Sequence, residues 1–180
     1  MRGRSHRTAE EADLVRWAQD GDERAFAVLV ERSRRRLFAV CVRITGDEHT
    51  AQDAVQNALL DAWRALPRFE GRSTFSTWIC QVGSRAALAQ VRRRRPEPVA
   101  EVPEPDGPFR IDETVAAVSA VRWALDKLPP DFRTALVLRE YGGLTYQEIA
   151  DAEGVRVETV KTRIARARRA VAAVLEAAEA

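Results

Sequence analysis

Apolar residues recur at steps of three and four positions along most of the chain, which is the spacing of one face of an α-helix. This pattern runs from Asp22 to Thr45, and Gly46 follows it as the expected end of the helix. A second helix is predicted to begin at Asp47 and to end at Pro67, because proline cannot continue a helix. No strand pattern competes with the helical one. The chain is therefore predicted to have an all-α fold.

A proline-rich segment divides the helical pattern in two. Residues 96–111 hold five of the eight prolines, carry mixed charge and show no apolar period, which is typical of an extended linker. We therefore predict two small helical domains, residues 8–95 and residues 112–176, joined by this linker. In the second domain the apolar spacing predicts helices near residues 112–128, 130–140, 146–152 and 157–176.

The last two predicted helices have the form of a helix-turn-helix. Thr145 and Glu148 have the spacing of a capping box, and Gly154 lies where the turn after a short helix favours a positive φ. In the next helix the apolar residues from Val157 to Val174 step by three and four positions, so their side packs inward. The opposite side is polar, mostly cationic and about as wide as the major groove requires. This strip comprises Glu158, Lys161, Thr162, Ala165, Arg166 and Arg169.

The formal net charge of +2 says little about binding partners, but the basic residues are unevenly distributed. Four consecutive arginines, Arg92 to Arg95, close the N-terminal domain. Basic residues also crowd the start of the last helix, where Glu158 is the acid among them: Arg156, Lys161, Arg163, Arg166, Arg168 and Arg169. Such clusters are typical of proteins with a polyanion partner, although a charge run is often only a solvated face.

Composition limits the other classes of function. Hydrophobic residues make up 46% of the chain, yet no apolar run approaches the roughly 18 to 20 residues of a membrane helix, so we expect a cytoplasmic protein without membrane insertion. Cys41 and Cys80 lack a CxxC spacing and lie on predicted buried faces, which favours small core residues over a redox or metal site. The sequence shows no metal-ligand cluster, phosphate-binding glycine loop or activated nucleophile. We therefore expect neither an enzyme nor a cofactor.

The stretch FEGRSTFSTWIC, residues 69–80, places three aromatic residues around a polar loop. Phe75 and Trp78 keep helical spacing, with Ser73 or Thr74 as the N-cap, and this favours burial of each ring. The preceding loop nevertheless contains a glycine, an arginine and a serine with no packing role. Aromatic rings beside a cationic surface can stack on unpaired bases, each worth roughly 1 to 3 kcal/mol. Burial and base stacking therefore both remain open for this stretch.

Three motifs in this order resemble a known family: DAVQNALLDAWRAL, FEGRSTFSTWICQVGSRAALAQVRRR and LPPDFRTALVLREYGGLTYQEIADAEGVRVETVKTRIARARRAV. Together they resemble the extracytoplasmic-function (ECF) sigma factors, the smallest class of bacterial sigma subunit, over residues 22–174. The resemblance implies that residues 8–95 are sigma domain two, which binds core RNA polymerase and opens the minus-ten element. Residues 112–176 would be sigma domain four, which reads the minus-thirty-five element of promoter DNA. An anti-sigma factor is a further implied partner.

The resemblance also assigns residues to three contact surfaces. Those for core RNA polymerase are Asp53, Gln56 and Asn57; those for the minus-ten element are Phe69, Gly71, Arg72, Ser73 and Arg85; those for the minus-thirty-five element are Arg156, Thr159, Lys161, Thr162, Arg166 and Arg169. Several positions depart from the family pattern. Asn57 stands where glutamate is usual, Arg85 and Ala89 replace an asparagine and an aspartate, and Arg156 and Glu158 replace a proline and a glycine. The preferred promoter bases are therefore not implied.

The alternative hypothesis is a free-standing helix-turn-helix regulator whose N-terminal helices serve dimerisation. A dimerising helix would show an apolar surface, whereas the second long helix shows the polar face of Asp53, Gln56 and Asn57. This face favours the sigma-factor hypothesis.

Overall fold

The computed structural model describes residues 6–94 and 113–179, and every regular element in these two ranges is helical. The N-terminal unit contains α1 (Glu11–Gln19), α2 (Glu23–Thr45), α3 (Glu48–Ala65) and α4 (Phe75–Arg94). The C-terminal unit contains α5 (Glu113–Lys127), α6 (Pro130–Glu140), α7 (Tyr146–Glu153) and α8 (Val157–Glu179). Short 3₁₀ turns cover His6–Thr8 and Leu66–Arg68. The all-α prediction is confirmed, while the predicted linker, residues 96–111, lies outside the described residues.

The ends of the long N-terminal helices lie where local sequence signals predict them. The Asp22 side chain accepts hydrogen bonds from the backbone N–H groups of Arg24 and Ala25, and so caps α2. Gly46 ends this helix in the left-handed region with φ of 73°, which glycine adopts without strain. The Asp47 side chain then caps α3 by accepting from the N–H of Thr50. Short-range chemistry therefore fixes the boundary between these helices.

The core of the N-terminal unit forms where α2, α3 and α4 meet. The apolar face of α3 is built from alanines, which let its neighbours approach closely, and α4 contributes the fully buried Phe75 and Ile79. Gly83 of α4 lies so close to Leu37 of α2 that a Cβ atom there would collide with the leucine. This close packing defines the position of α4 and of the loop before it.

The two cysteines are core residues, as the sequence predicts. Cys41 and Cys80 are fully buried and free of disulfide. Burial raises the pKa of the Cys41 thiol to about 12 and that of Cys80 to about 11. Thiols that stay protonated in this way are poor nucleophiles and metal ligands, which agrees with a packing role.

The C-terminal unit packs against the N-terminal unit through α6, which contacts α2 and α4, and through α7, which contacts α4. Arg133 of α6 is 5% exposed, and its guanidinium donates to the carbonyl oxygen of Ile44 at the end of α2 at 3.1 Å. The same guanidinium donates to the carbonyls of Asp126 and Leu128 at 2.6 and 3.3 Å. A buried arginine thus joins the end of α2 to the turn between α5 and α6. Among the described residues, no helix is both long and apolar enough to span a membrane.

Candidate nucleic-acid interfaces

Helices α7 and α8 form the predicted helix-turn-helix. The Thr145 hydroxyl accepts from the N–H of Glu148 at 3.2 Å, and the Glu148 carboxylate accepts from the N–H of Thr145 at 2.8 Å, which completes the capping box. Gly154 ends α7 with φ of 68°. Val160, Ile164 and Ala167 of α8 are buried, so the predicted inward face is confirmed. The turn and the buried face together fix which side of α8 meets solvent.

The polar strip of α8 is exposed as predicted, although its cations are not equally available. Lys161 pairs with Glu158 at 2.7 Å, and the Thr162 hydroxyl donates to the Glu158 carbonyl at 2.9 Å. Both contacts are between residues of α8, so the side chains of Lys161 and Thr162 lie along the surface of this helix. All members of the predicted strip are exposed, as is Arg156 just before the helix, whereas Thr159 is half-buried. Arg166 and Arg169 are therefore placed to meet a ligand outside the protein.

Two arginines of the basic cluster have structural roles instead. Arg163 is 18% exposed and pairs with Asp131 at 3.0 Å and Glu153 at 2.7 Å. Burial raises the pKa of the Glu153 carboxyl to about 7, although the Arg163 guanidinium acts in the opposite direction. Arg168 pairs with Glu140 of α6 at 2.6 Å. The acids that bind these arginines come from other helices, so the sequence spacing of α8 alone does not reveal the pairs.

The loop before α4 borders a cavity of about 240 Å³. Of the predicted minus-ten residues, the structure brings Phe69, Arg72 and Ser73 together in its wall, with Trp78 and Gln81 of α4. Gly71 lies at the exposed tip of the loop with φ of 68°, a conformation that favours glycine. The Arg72 side chain is 87% exposed and pairs with Glu70 at 2.6 Å. This cavity combines ring faces with cations, as a base-stacking site does, and its wall also contains the acids Glu70, Glu148 and Asp151.

The three rings of this region differ in burial. Phe75 is fully buried, as its helical phase predicts, and packs edge-on against Phe69 with ring centroids 6.4 Å apart. Phe69 and Trp78 are both half-buried, with centroids 4.9 Å apart and planes tilted by 38°. The helix is capped by Thr74, whose hydroxyl accepts from the N–H of Thr77 at 3.2 Å. Phe75 is therefore a core residue, while Phe69 and Trp78 each expose part of their surface to the cavity.

Arg85, the remaining residue of the predicted minus-ten set, is placed elsewhere on α4. Its Nε donates to the carbonyl oxygen of Ala152 in α7 at 3.2 Å. It lines a second cavity, of about 480 Å³, whose wall also contains Arg92, Asp131 and Glu153. The structure therefore does not bring Arg85 into the cavity of the loop.

The exposed face of α3 carries the residues predicted to contact RNA polymerase. Asp53, Gln56 and Asn57 all point to solvent, and Asp53 lies 3.9 Å from the His49 ring. Leu60 follows on the same face and is 58% exposed, the one large exposed hydrophobic residue among those described. The sequence interpretation missed Leu60, although the phase of α3 places it beside Asn57.

The described residues contain no group of three or more histidine, cysteine, aspartate or glutamate side chains that could hold a metal ion.

Comparison with known proteins bears on both units. Residues 29–97 match the family model described as sigma-70 region 2, and residues 119–171 match the one described as sigma-70, region 4. The first match covers α3, the loop and α4, and the second covers the helix-turn-helix.

Individual relatives match nearly the whole chain. The RNA polymerase sigma-H factor of Pseudomonas aeruginosa is 36% identical over 178 residues, covering 90% of this chain and 92% of that protein. The ECF RNA polymerase sigma-E factor of Escherichia coli K12 is 34% identical over 178 residues, covering 88% and 90%. A solved structure of CnrH in complex with the cytosolic domain of CnrY matches with a TM-score of 0.68 and 28% identity, covering 93% of this chain and 97% of that one. The family resemblance is thereby confirmed: the chain belongs to the ECF sigma factors of the sigma-70 family.

Proposed function

We propose that this sigma factor contacts promoter DNA at two surfaces with different chemistries and carries out no reaction of its own. The C-terminal domain reads the duplex of the minus-thirty-five element, and the N-terminal domain holds unpaired bases of the minus-ten element. One observation carries this division: the exposed cationic strip lies on α8 of the C-terminal unit, whereas Phe69, Arg72 and Trp78 belong to the loop and to α4 of the N-terminal unit. We place this activity in the cytoplasm, where core RNA polymerase works.

The α8 surface suits duplex DNA. An α-helix fits the major groove, where arginine and lysine donate to guanine edges or to phosphates. Arg166 and Arg169 are exposed on the strip, with Lys161 and Thr162 one turn earlier. Arg156 lies just before the helix, where it would meet the DNA backbone, and Thr159 lies at the half-buried edge. These six residues form the proposed minus-thirty-five contact.

The loop surface suits unpaired DNA. A base that has left the duplex is held by stacking and by backbone charge, because its neighbours no longer present a groove. Phe69 and Trp78 offer ring surface in the cavity, Arg72 offers charge, and Ser73 offers a hydroxyl. Gly71 lets the loop turn at its tip. Arg85 would join this contact only after its bond to Ala152 is broken.

The α3 face is the proposed contact with core RNA polymerase. It combines the polar side chains of Asp53, Gln56 and Asn57 with the exposed Leu60. Burial of this leucine against a partner would remove its apolar surface from water, which favours binding. We also propose a protein inhibitor of the anti-sigma type. The related CnrH was solved in complex with the cytosolic domain of another protein, CnrY, which supports such a partner.

Transcription with core RNA polymerase on a library of promoter sequences tests the proposed function. We expect the chain to direct transcripts from templates that share two short elements, whereas core polymerase alone should show no such selection. A free-standing regulator would instead bind its DNA sites tightly without polymerase. Tight and specific binding of whole promoters by the free chain, without selective transcription, would therefore contradict the proposal.

Replacing Arg166 with alanine should weaken recognition of the minus-thirty-five element. A lost base contact is expected to cost roughly 1 to 3 kcal/mol and to relax the preference at one position. A lost phosphate contact should instead weaken binding to all sequences. It should also reduce the slope of the logarithm of the binding constant against the logarithm of salt concentration by about one. Arg168→Ala is the matched control, because Arg168 lies on the same helix but pairs with Glu140. Transcription from every promoter variant at the parental level would show that α8 is not the recognition helix.

Replacing Leu60 with serine should lower the affinity for core RNA polymerase by about tenfold, because full burial of a leucine side chain is worth roughly 1.5 to 3 kcal/mol and a tenfold change in affinity is about 1.4 kcal/mol. Its exposed position predicts an unchanged melting temperature. Competition with the parent chain for a limited amount of core polymerase measures the affinity directly. A variant that competes as well as the parent would place the polymerase contact outside this face.

A further inference from the structure

The second cavity, which Arg85 lines, lies where the two units meet. Its volume of about 480 Å³ is within the range of roughly 300 to 1,000 Å³ that small-molecule sites have. Helix α4 of the N-terminal unit forms one wall, and residues of α6, α7 and α8 of the C-terminal unit form the others. A ligand in this cavity would therefore touch both units.

Two buried oxygen atoms belong to side chains of this wall, Oε1 of Glu153 and Oγ1 of Thr134. Neither has a hydrogen-bond partner in the part of the chain that the structure describes. The Glu153 side chain is 7% exposed, and its Oε2 accepts from Nη1 of Arg163 at 2.7 Å. A buried polar atom without a partner has given up its hydrogen bonds to water without replacing them. A ligand that bonds to both oxygens would restore what they lose on burial.

Two exposed arginines of the same wall can bind an anion. Arg85 uses Nε to donate to the carbonyl of Ala152, and Arg92 uses Nη2 to donate to Asp131. A guanidinium has five N–H donors, so each arginine can donate further hydrogen bonds. The wall holds three arginines and two acids, which makes it cationic when both acids are ionised.

The cavity also has apolar surface. Leu88 of α4 and Val155, which follows α7, line it and are half-buried. The flat face of an aromatic ring packs well against such side chains. The ligand that fits this wall therefore combines a ring, a polar edge with an N–H donor, and an anionic group.

We propose that the second cavity binds a nucleotide, with the edge of the base at Glu153 and Thr134 and the phosphate at Arg85 and Arg92. Each nucleobase has an N–H donor beside an acceptor on its Watson–Crick edge, which suits a wall that offers a carboxylate and a hydroxyl. Arginine is well suited to phosphate because its donors form a planar fork. Of the residues in the DNA and polymerase surfaces proposed above, this site uses only Arg85, and it goes beyond the function proposed for them.

The ionised form of Glu153 is the one that accepts from the base. Burial raises the pKa of its carboxyl to about 7, with Asp131 acting in the same direction and Arg163 and Arg92 opposing it. The ionised form therefore predominates at about pH 8, one unit above this pKa. Nucleotide binding is best measured at that pH.

Isothermal titration calorimetry of the whole chain tests the proposal, with GMP, AMP, CMP and UMP as the probes. We expect one nucleotide or more to bind with a 1:1 stoichiometry, at least about tenfold more tightly than inorganic phosphate or the matching nucleoside, because each of these makes only part of the contacts. A dissociation constant above about 1 mM for all four would overturn the proposal. A smaller preference over inorganic phosphate would show an adventitious ion only, and would overturn it equally.

Thr134→Val removes the buried hydroxyl and keeps the shape of the side chain. The affinity for the nucleotide should fall about fivefold, the effect of losing one hydrogen bond. The melting temperature without ligand should stay the same or rise, because the hydroxyl has no partner there. A structural role for Thr134 would predict the opposite pair of results.

Arg92→Ala tests the phosphate contact, with Arg93→Ala as the matched control. Both arginines are exposed neighbours on α4 and carry the same charge, but Arg93 does not line the cavity. Arg92→Ala should weaken nucleotide binding about tenfold and leave binding of the nucleoside unchanged, because a charged hydrogen bond to phosphate is lost. Arg93→Ala should bind the nucleotide as the parent does.

The outcomes separate this site from the minus-ten cavity. If either Thr134→Val or Arg92→Ala binds the nucleotide within about twofold of the parent, the assigned contacts are wrong and the inference fails. If Arg72→Ala loses the nucleotide while Thr134→Val keeps it, the base stacks in the loop cavity instead, which also contradicts the inference. Neither result depends on transcription, so the proposed function stands or falls by its own test.

Discussion

Replacing Phe75 with alanine is expected to lower the free energy of unfolding by about 3 to 5 kcal/mol, as truncation of a buried aromatic residue does. The Phe75 side chain is fully buried and packs against Phe26 and Trp78, with ring centroids 6.1 and 5.6 Å away. Its removal leaves a cavity between α2 and α4 that neighbouring helices cannot fill without moving. Urea denaturation followed by circular dichroism measures the loss.

Phe69→Ala is the matched comparison, because Phe69 belongs to the same ring cluster but is only half-buried. We expect a loss of about 2 kcal/mol or less, since part of the ring remains in solvent. Equal destabilisation by the two substitutions would make Phe69 a core residue and remove it from the proposed base-stacking site.

The helix boundaries are predictable from sequence because their causes are local. Asp22, Asp47 and Thr145 each cap the helix that follows them, and Gly46 and Gly154 end helices with positive φ. The exposed strip of α8 is predictable for a similar reason, since helical phase alone separates its buried and solvent-facing sides. These features need no knowledge of distant parts of the chain.

Contacts between distant residues are not predictable in this way. Arg163 belongs to the basic cluster of the last helix, which is typical of proteins with a polyanion partner. In the structure it pairs instead with Asp131 and Glu153 from two other helices. Arg85 of the N-terminal unit donates a hydrogen bond to the carbonyl of Ala152 in the C-terminal unit. The sequence predicts two domains joined by a linker and does not predict this contact between them. The DNA and polymerase roles of individual residues, and the domain limits at residues 8–95 and 112–176, stay predictions.

The loop before α4 gives the second large expected effect. Replacing Arg72 and Ser73 together with alanine should reduce transcription from a duplex promoter by roughly tenfold or more, because the unpaired base loses the charge and the hydroxyl beside its stacking site. The fold should be retained. The Arg72 side chain is 87% exposed and its pair with Glu70 is a surface ion pair, which contributes little to stability.

One comparison tests the central claim most directly, that this loop holds an unpaired minus-ten base. Transcription by core polymerase with the Arg72→Ala, Ser73→Ala variant is measured on a duplex promoter and on one pre-melted at the minus-ten element, beside a thermal melt. We predict a parental melting temperature, failure on the duplex, and loss of discrimination between bases on the pre-melted template. A large drop in melting temperature with normal base discrimination would contradict the account.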